Sequence, residues 1–374
     1  MSTMYSRVRE VKAGEQITKP GIYKIPIERY HNDPDLFPGH SVSSTGLRRM
    51  NSTCPRMYWA HSVHNPERIP GKASEALRFG KAVHSYLLEK GLPKDDFALC
   101  PFKDWVSNEG NKSVYEIRQE MKGDDGQLVL GDDGQPQMET FKGKGWMDDN
   151  GNIYKNYLEY KKVWRSMVEW SGRTIVYDKD IKIFKAMAAE LAKNPLIADG
   201  LLDGLVEHSI CWPDPETGIW IKIRPDVIPG AVMLGDYKTG RSAHPREISR
   251  SIPDYGYDQQ LALCMEGIAR VLGRRIDSTF LVVQEKTEPY IATVAPVNDD
   301  TLWWGARMNR KALNDIKRCL DAGEWPGYGD GAPVTVGNPE WRRKQLLSYQ
   351  EMFEDDPDLR YPDIKNLSEI VGEL

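Results

Sequence analysis

The stretch from residue 224 to residue 239 reads RPDVIPGAVMLGDYKT, and it decides how the rest of the chain is interpreted. Two short apolar segments flank a turn-forming Pro-Gly pair, which predicts two neighbouring strands. Residues two apart in a strand project from the same face, so Asp236 and Lys238 are expected to point together. Asp226 lies on the strand before the turn, and the pattern predicts that it faces the same site.

Two carboxylates on neighbouring strands indicate a metal site. Mg²⁺ prefers oxygen ligands and takes one or two protein carboxylates while keeping several waters. An ammonium group beside it can position a metal-bound water or stabilise charge that develops on a phosphate. An isolated Asp-x-Lys triplet is common at solvated strand ends, but the apolar lead-in Leu234-Gly235 and the carboxylate at Asp226 favour a site here.

Two predicted helices carry further candidates. Gly80 and His84 are four residues apart and share one helix face, where glycine leaves room for a metal or phosphate and histidine offers a ring nitrogen. The alternative for His84 is a half-buried histidine bonded to a backbone carbonyl. Tyr257 and Gln260 open a later helix, where Gln260 either orients a ligand or lies on the surface.

The spacing of apolar residues predicts alternating helices and strands, which is typical of a layered α/β domain. We expect helices over residues 44–50, 75–90, 178–192, 257–272 and 302–320, and strands over residues 205–212, 219–227, 232–238, 278–284 and 290–295. Residues 246–253, which end at a proline, are expected to be irregular.

Composition shifts divide the chain into three predicted parts. Residues 1–40 are rich in proline, glycine and charge and are expected to form an irregular lead-in; residues 41–345 form the main domain, and residues 346–374 an acidic tail. Inside the domain, residues 123–149 contain Gly-Asp-Asp-Gly twice, which predicts an acidic, solvent-exposed hairpin insertion.

Charge and hydropathy limit the setting in which the chain acts. It has 374 residues, a net charge of −5 and no apolar run long enough to cross a bilayer. A charged start in place of an apolar signal segment predicts a cytoplasmic protein. Because the overall charge is negative, binding of nucleic acid requires a local basic patch.

Five motifs occur in the order found in the RecE-like (exodeoxyribonuclease VIII type) exonucleases of the PD-(D/E)XK nuclease superfamily. The chain resembles that family from about residue 20 to about residue 345. The motifs that carry the resemblance are Phe79–His84, Val206–Ser209, Arg224–Asp226, Asp236–Thr239 and Tyr257–Gln260.

The resemblance implies a fold, a metal and a set of site residues. The fold is an α/β restriction-endonuclease-like core, a central mixed β-sheet flanked by helices, with added helices and the acidic insertion. Mg²⁺, for which Mn²⁺ substitutes, is the implied metal. The implied metal ligands are His84, Asp226, Asp236 and the carbonyl of Tyr237, and the implied catalytic residues are Asp226, Asp236, Lys238 and Gln260, with Glu207 as an additional acidic residue.

Two features qualify the resemblance. The related RecB-type pattern has a tyrosine four residues after the glutamine, where this chain has Cys264; Tyr257 is the candidate to supply that hydroxyl. Some relatives carry an iron–sulfur cluster held by clustered cysteines near the C-terminus, whereas Cys319 alone lies there. The five widely spaced cysteines therefore predict neither an iron–sulfur cluster nor a zinc site or disulfide framework.

Basic residues near the motifs are candidates for holding DNA phosphates. The candidates are Arg48, Arg49, Arg56 and Arg241, joined by Tyr257. A solvated face is the alternative for each of the first three arginines, and Arg241 follows the Asp-x-Lys strand most closely.

By resemblance, the chain digests linear double-stranded DNA processively from 5′ to 3′ in phage-type recombination. The family also implies a ring-shaped homo-oligomer and a single-strand annealing partner in a bacterial or phage-infected cell. One alternative is a structure-specific or single-strand nuclease in repair or defence. Another is a catalytically silent DNA-binding relative, which the loss of a carboxylate or lysine would favour; this chain retains them.

Overall fold

The computed structural model describes residues 7–71, 75–101, 114–120, 127–128, 130, 135–144, 146–147, 153–154 and 157–355. The chain divides into two compact units, Met1–Trp325 and Pro326–Leu374. The second unit contains a 3₁₀ helix at Tyr328–Gly331 and the helix Glu340–Asp355.

Short strands alternate with helices along the first unit. The strands are β1 (Val8–Glu10), β2 (Gly21–Lys24), β3 (Ser41–Ser43), β4 (Phe97–Leu99), β5 (Val114–Glu120), β6 (Met138–Lys144), β7 (Trp146–Met147), β8 (Ile153–Tyr154), β9 (Thr174–Val176), β10 (Gly204–Val206), β11 (Ser209–Pro213), β12 (Trp220–Ile223), β13 (Val227–Pro229), β14 (Met233–Gly240), β15 (Ser278–Glu285) and β16 (Ala292–Val297). The helices are α1 (Ile27–Asn32), α2 (Ser44–Ser52), α3 (Pro55–Ala60), α4 (Glu75–Leu88), α5 (Tyr157–Trp170), α6 (Asp178–Leu191), α7 (Pro195–Ala198), α8 (Pro245–Tyr255), α9 (Tyr257–Leu272) and α10 (Asp299–Ala322).

A mixed five-stranded sheet lies at the centre, in the order β1-β2-β11-β12-β3. The inner pairs β2–β11 and β11–β12 are antiparallel, whereas the outer pairs β1–β2 and β12–β3 are parallel. The predicted α/β fold, with a central mixed sheet flanked by helices, is confirmed.

The two faces of this sheet bury different sets of side chains. Trp212 and Ile221 belong to the main core, which α2, α9 and α10 complete. Cys211 and Trp220, one position away on the same strands, belong to a smaller core on the opposite face. This alternation follows from the two-residue period of a strand. Helix α9 packs so closely that a Cβ on Gly267 would lie 2.6 Å from the Trp212 ring.

A second sheet, in the order β14-β15-β16, carries the quoted motif. β14 and β15 are parallel and in register from Met233 opposite Ser278 to Gly240 opposite Glu285. Helices α4 and α6 contribute to the core that includes the inner side chains of this sheet, Tyr237 and Val282. The motif strand is therefore supported on one face by packed helices.

Residues 1–40 were expected to be irregular, and for the described part of this segment that prediction is wrong. β1, β2 and α1 lie in it, and β2 is an inner strand of the central sheet. The strand has four residues and follows Pro20, so its own sequence carries little strand signal. It is formed by pairing with β11, where Ile22 lies opposite Ile210.

The prediction that residues 246–253 are irregular is also wrong. They belong to α8, which begins with Pro245 in the first turn, where a missing N–H costs nothing. His244 caps the helix by accepting a hydrogen bond from the amide of Arg246. Ile248 is buried in the main core, and this apolar packing outweighs the proline near the end of the helix.

Two predicted continuous strands are each broken, and both breaks face the site. Glu207, with a left-handed φ of 55°, separates β10 from β11. Residues 224–226 separate β12 from β13. Non-glycine residues rarely adopt positive φ, and such strain concentrates at functional positions.

Part of the predicted acidic insertion lies outside the described residues, namely 123–126, 129, 131–134, 145 and 148–149. β5, which precedes it, and β6, which lies within it, form an antiparallel pair from Val114 opposite Lys144 to Glu120 opposite Met138. The end of the predicted tail, residues 356–374, also lies outside them.

In the described part of the chain, no helix combines the length and apolar character needed to cross a bilayer. All five cysteines are buried, and none of them is in a disulfide bond.

Gly305 tests the packing of α10 on the first turn of α9. A Cβ at this position would lie 2.3 Å from the carbonyl oxygen of Asp258, so the two backbones are in direct contact. We expect Gly305→Ala to lower the free energy of unfolding by about 1–3 kcal/mol, as overpacking does. Urea denaturation measures the change.

Gly80→Ala is the matched control, because the nearest atom to its added Cβ is Thr239 Oγ1, at an ordinary contact distance of 3.5 Å. It should keep or raise stability, since alanine favours helices over glycine. Equal stability of wild type and Gly305→Ala would contradict the close backbone approach.

Candidate active site

Three charged side chains meet beside β13 and β14. Lys238 Nζ lies 2.5 Å from Asp236 Oδ2 and 3.7 Å from Asp226 Oδ2. Asp236 and Lys238 share one face of β14, and Asp226 stands directly before β13. The structure thus brings together the three side chains that the sequence pattern singled out.

Hydrogen bonds fix both carboxylates. The amide of Tyr237 donates to Asp226 Oδ2 at 2.7 Å, and Gln260 Nε2 donates to Asp236 Oδ1 at 2.9 Å. Gln260, which the sequence left between a ligand-orienting and a surface role, therefore reaches the site from the first turn of α9. The neighbouring helix thereby sets the rotamer of the carboxylate on β14.

Gln284 supports the motif strand from the opposite face, and the sequence interpretation missed it. It is fully buried on β15 and accepts a hydrogen bond from the hydroxyl of Tyr237 at 2.7 Å. Its amide donates to the carbonyls of Met187 and Tyr290. A polar residue after Leu-Val-Val in a buried strand was the available signal, because such a residue needs partners.

His84 lies between two carboxylates. Its Nε2 is 3.0 Å from Asp226 Oδ1, and its Nδ1 is 3.1 Å from Glu207 Oε1. Helix α4 presents His84 toward one end of the paired strands β10 and β13, where Glu207 follows the first strand and Asp226 precedes the second. The alternative in which His84 is bonded to a backbone carbonyl is not what the structure shows.

The charges in this cluster shift one another. Burial alone would raise the pKa of Asp226, but the charges of Lys238 and His84 lower it by more, so the net shift is downward. Burial and the charge of Asp226 raise the pKa of Asp236 to about 6. Burial lowers the pKa of His84, but Asp226 and Glu207 more than offset this and raise it to about 10.

The cluster offers oxygen donors to a divalent cation. Among the described residues, no three His, Cys, Asp or Glu side chains form a group that could hold a metal ion, and the two carboxylates lie beside His84 and Lys238. Lys238 Nζ, however, lies near Asp236 Oδ2, Asp226 Oδ2 and, at 3.4 Å, the carbonyl of Tyr237. The ammonium of Lys238 thus lies among three of the predicted oxygen ligands. Oxygen donors gathered around a positive charge fit a hard divalent ion.

The cluster opens into a cleft of about 2340 Å³. Of the four arginines proposed to hold DNA phosphates, Arg48, Arg49 and Arg241 line it. Arg56 is not among its lining residues, and its guanidinium donates to the carbonyl of Trp325. Three of the four predicted arginines therefore face the site, and Arg56 does not.

Arg48 is already engaged within the protein. Its guanidinium donates to the carbonyl of Tyr255 at 2.6 Å and to Thr45 Oγ1 at 3.3 Å. Burial lowers its pKa from the usual range. These contacts give Arg48 a place in the junction between α8 and α9 as well as on the cleft wall.

Tyr257 lies over the lysine, where the sequence placed an aromatic residue in exchange for the one missing at Cys264. Lys238 Nζ is 5.7 Å from the centroid of the Tyr257 ring, within cation–π range. Cys264 is buried in the main core and lines the cleft, and burial raises the pKa of its thiol.

Comparisons with known proteins give one family. The profile of a family described as a PDDEXK-like domain of unknown function (DUF3799) matches residues 43–335. A solved structure from Eubacterium rectale, provisionally described as an exonuclease, is similar at 14% identity and a TM-score of 0.47, over 80% of this chain and 90% of that one. No curated protein matches the chain.

His84 gives a pH test of the cluster without added metal. A folded-state pKa of about 10 lies above the usual value of about 6.5, so the contribution of His84 to stability is complete below pH 6.5 and is lost toward pH 10. We expect His84→Ala to cost about 3 kcal/mol more at pH 6 than at pH 9. Urea denaturation at both pH values measures the difference.

His208→Ala is the control, since its ring contacts a neutral backbone group, the carbonyl of Val206. An equal cost of His84→Ala at both pH values would show that its ring is not held as a cation.

Proposed function

We propose, since this chain belongs to the DUF3799 family of PDDEXK-like domains, that it is a metal-dependent deoxyribonuclease that hydrolyses phosphodiester bonds. The observation that carries the proposal is the position of Lys238 Nζ among the oxygens of Asp226, Asp236 and Tyr237. Two carboxylates, a backbone carbonyl and one ammonium, gathered at the wall of a large cleft, are the groups that phosphodiester hydrolysis requires.

Asp226, Asp236 and the carbonyl of Tyr237 would hold Mg²⁺ or Mn²⁺, with His84 beside them. Bound there, the metal would supply a Lewis acid. The carboxylates suit a divalent ion, because in the structure they already hold positive charge, that of Lys238 and His84, beside them.

The side chains of the chain itself have separate tasks. Gln260 orients Asp236 through its hydrogen bond to Oδ1, and the other carboxylate oxygen lies beside Lys238. Lys238 lines the cleft and offers an ammonium that stabilises charge developing on the phosphate. Glu207 and Asp226 hold the His84 ring in one orientation from its two nitrogens.

The substrate and polarity that we propose for this nuclease are 5′-to-3′ digestion of linear double-stranded DNA, in phage-type recombination. The order of the five sequence motifs, shared with RecE-like exonucleases, supports this choice. A structure-specific or single-strand nuclease is the second candidate, and it differs by cutting closed or branched DNA. Retention of Asp226, Asp236 and Lys238 in one cluster disfavours a catalytically silent relative.

The ring-shaped homo-oligomer, the single-strand annealing partner and the cytoplasmic location remain predictions that rest on the sequence. Size-exclusion chromatography with light scattering tests the first of them.

The activity test uses linear duplex DNA labelled at either the 5′ or the 3′ end, beside a closed circle, with Mg²⁺ or Mn²⁺. We expect the linear DNA to shorten from its 5′ ends and the circle to stay intact. Asp236→Asn should lower the rate by more than about 10³-fold, because a metal ligand and its charge are lost. The release of like-charge repulsion should leave folding intact.

Asp254→Asn removes an exposed carboxylate that lines the same cleft outside the cluster, and it should cut at the wild-type rate. Full activity of Asp236→Asn would overturn the proposed site. Cleavage of the circle would favour the second candidate function.

Lys238→Ala separates catalysis from binding. We expect the single-turnover rate to fall by about 10²- to 10³-fold, the effect of removing one group that stabilises developing charge. The Kd for DNA should change less than about threefold, since the charge that Lys238 stabilises develops only in the transition state. A collapse of binding with an unchanged single-turnover rate would make Lys238 a phosphate clamp.

A further inference from the structure

Tyr255 is an exposed aromatic residue on the wall of the cleft. It ends α8, lines the cleft and leaves 62% of its surface exposed. Its ring stacks on that of Tyr257, with centroids 5.5 Å apart and planes 29° apart. Tyr257 therefore covers one face of the Tyr255 ring, and the Tyr255 ring remains accessible from the cleft.

The backbone beneath this ring is fixed from two sides. Gly256, between α8 and α9, has a left-handed φ of 65° that allows the sharp turn between the two helices. Arg48 packs against it, so that a Cβ at Gly256 would lie 2.7 Å from Arg48 Cδ. The guanidinium of Arg48 also holds the carbonyl of Tyr255. An aromatic ring held on a rigid backbone suits stacking, because little freedom is lost on binding.

The aromatic pair adjoins the proposed catalytic cluster. Lys238 lies over the ring of Tyr257, and Tyr255 stacks on Tyr257, so the ring of Tyr255 lies next to the ring that contacts the lysine. Arg241 and Arg250 line the same cleft, and Arg250 is paired with Glu247. Arg241, three residues after Lys238, is thus a second cation at the wall of the cleft for a strand bound there.

We propose that Tyr255 is a stacking platform for an unpaired base of a DNA strand, next to the nucleotide whose phosphate is cut. This inference rests on the proposed function. A base inside a duplex has both faces covered, so the accessible ring fits a base that has left its pair or ends its strand. Charge complementarity comes from Arg241 and Lys238, which meet the phosphates on either side of that base.

The test uses a short single-stranded DNA with 2-aminopurine at a terminal or penultimate nucleotide. Fluorescence is measured with Mg²⁺ in the Asp236→Asn chain, so that the strand stays intact. We expect quenching on binding. Adding Tyr255→Ala should abolish the quenching and raise the Kd at least about fivefold, the low end of one stacked base. Tyr255→Phe keeps the ring and should retain both.

Trp170→Ala is the control for loss of an exposed aromatic ring, because Trp170 is 92% exposed and does not line this cleft. It should leave quenching and Kd unchanged. Three results would overturn the platform: quenching that persists in Tyr255→Ala, a Tyr255→Phe variant as weak as Tyr255→Ala, or no binding of single-stranded DNA by the parent chain.

Hydrolysis by Tyr255→Ala with an intact Asp236 separates the two proposals. If the platform is right, KM for linear DNA rises while kcat changes little. Wild-type hydrolysis with no effect of Tyr255→Ala on quenching or KM overturns the platform and leaves the nuclease standing. Tyr255-dependent quenching without any wild-type hydrolysis leaves a DNA-binding site and overturns the nuclease.

Discussion

The structure around the cleft depends on the compensation of two carboxylates that are withdrawn from water. Asp226 and Asp236 repel each other, and the protein resolves this by inserting the ammonium of Lys238 between them and the ring of His84 behind one of them. The two carboxyls respond in opposite directions, with the pKa of Asp226 lowered and that of Asp236 raised. The residue before β13, the strand β14 and the helix α4 each contribute a charged side chain, and each of these charges is compensated by the others.

The sequence predicted the parts of this arrangement that follow from local periodicity. Asp236 and Lys238 share a face because strands repeat every two residues, and His84 lies on a helix whose apolar spacing is clear. Gln260 was identified by the order of the motifs. Its position in the first turn of α9 allows it to donate a hydrogen bond to Asp236. Retention of all these groups was visible in the sequence, but their distances were not.

Other features depend on contacts between distant parts of the chain and could not be read locally. β2 becomes a strand through its pairing with β11, and Gln284 is recognised as a support once Tyr237 is seen above it. The engagement of Arg48 with the turn at Gly256 joins residues that the sequence treated as a phosphate grip and an irregular stretch. In each case the deciding partner is far along the chain, where periodicity carries no information.

The position of β2 and β3 in the central sheet also bears on the order in which the protein assembles during synthesis. Both strands leave the ribosome early, yet their partners β11 and β12 follow far later in the chain. The pairs β2–β11 and β12–β3 therefore cannot form until most of the first unit has been translated, and closing so long a loop is slow. Strand β14 and helix α9 follow later still, so the proposed site is complete only when they too have emerged.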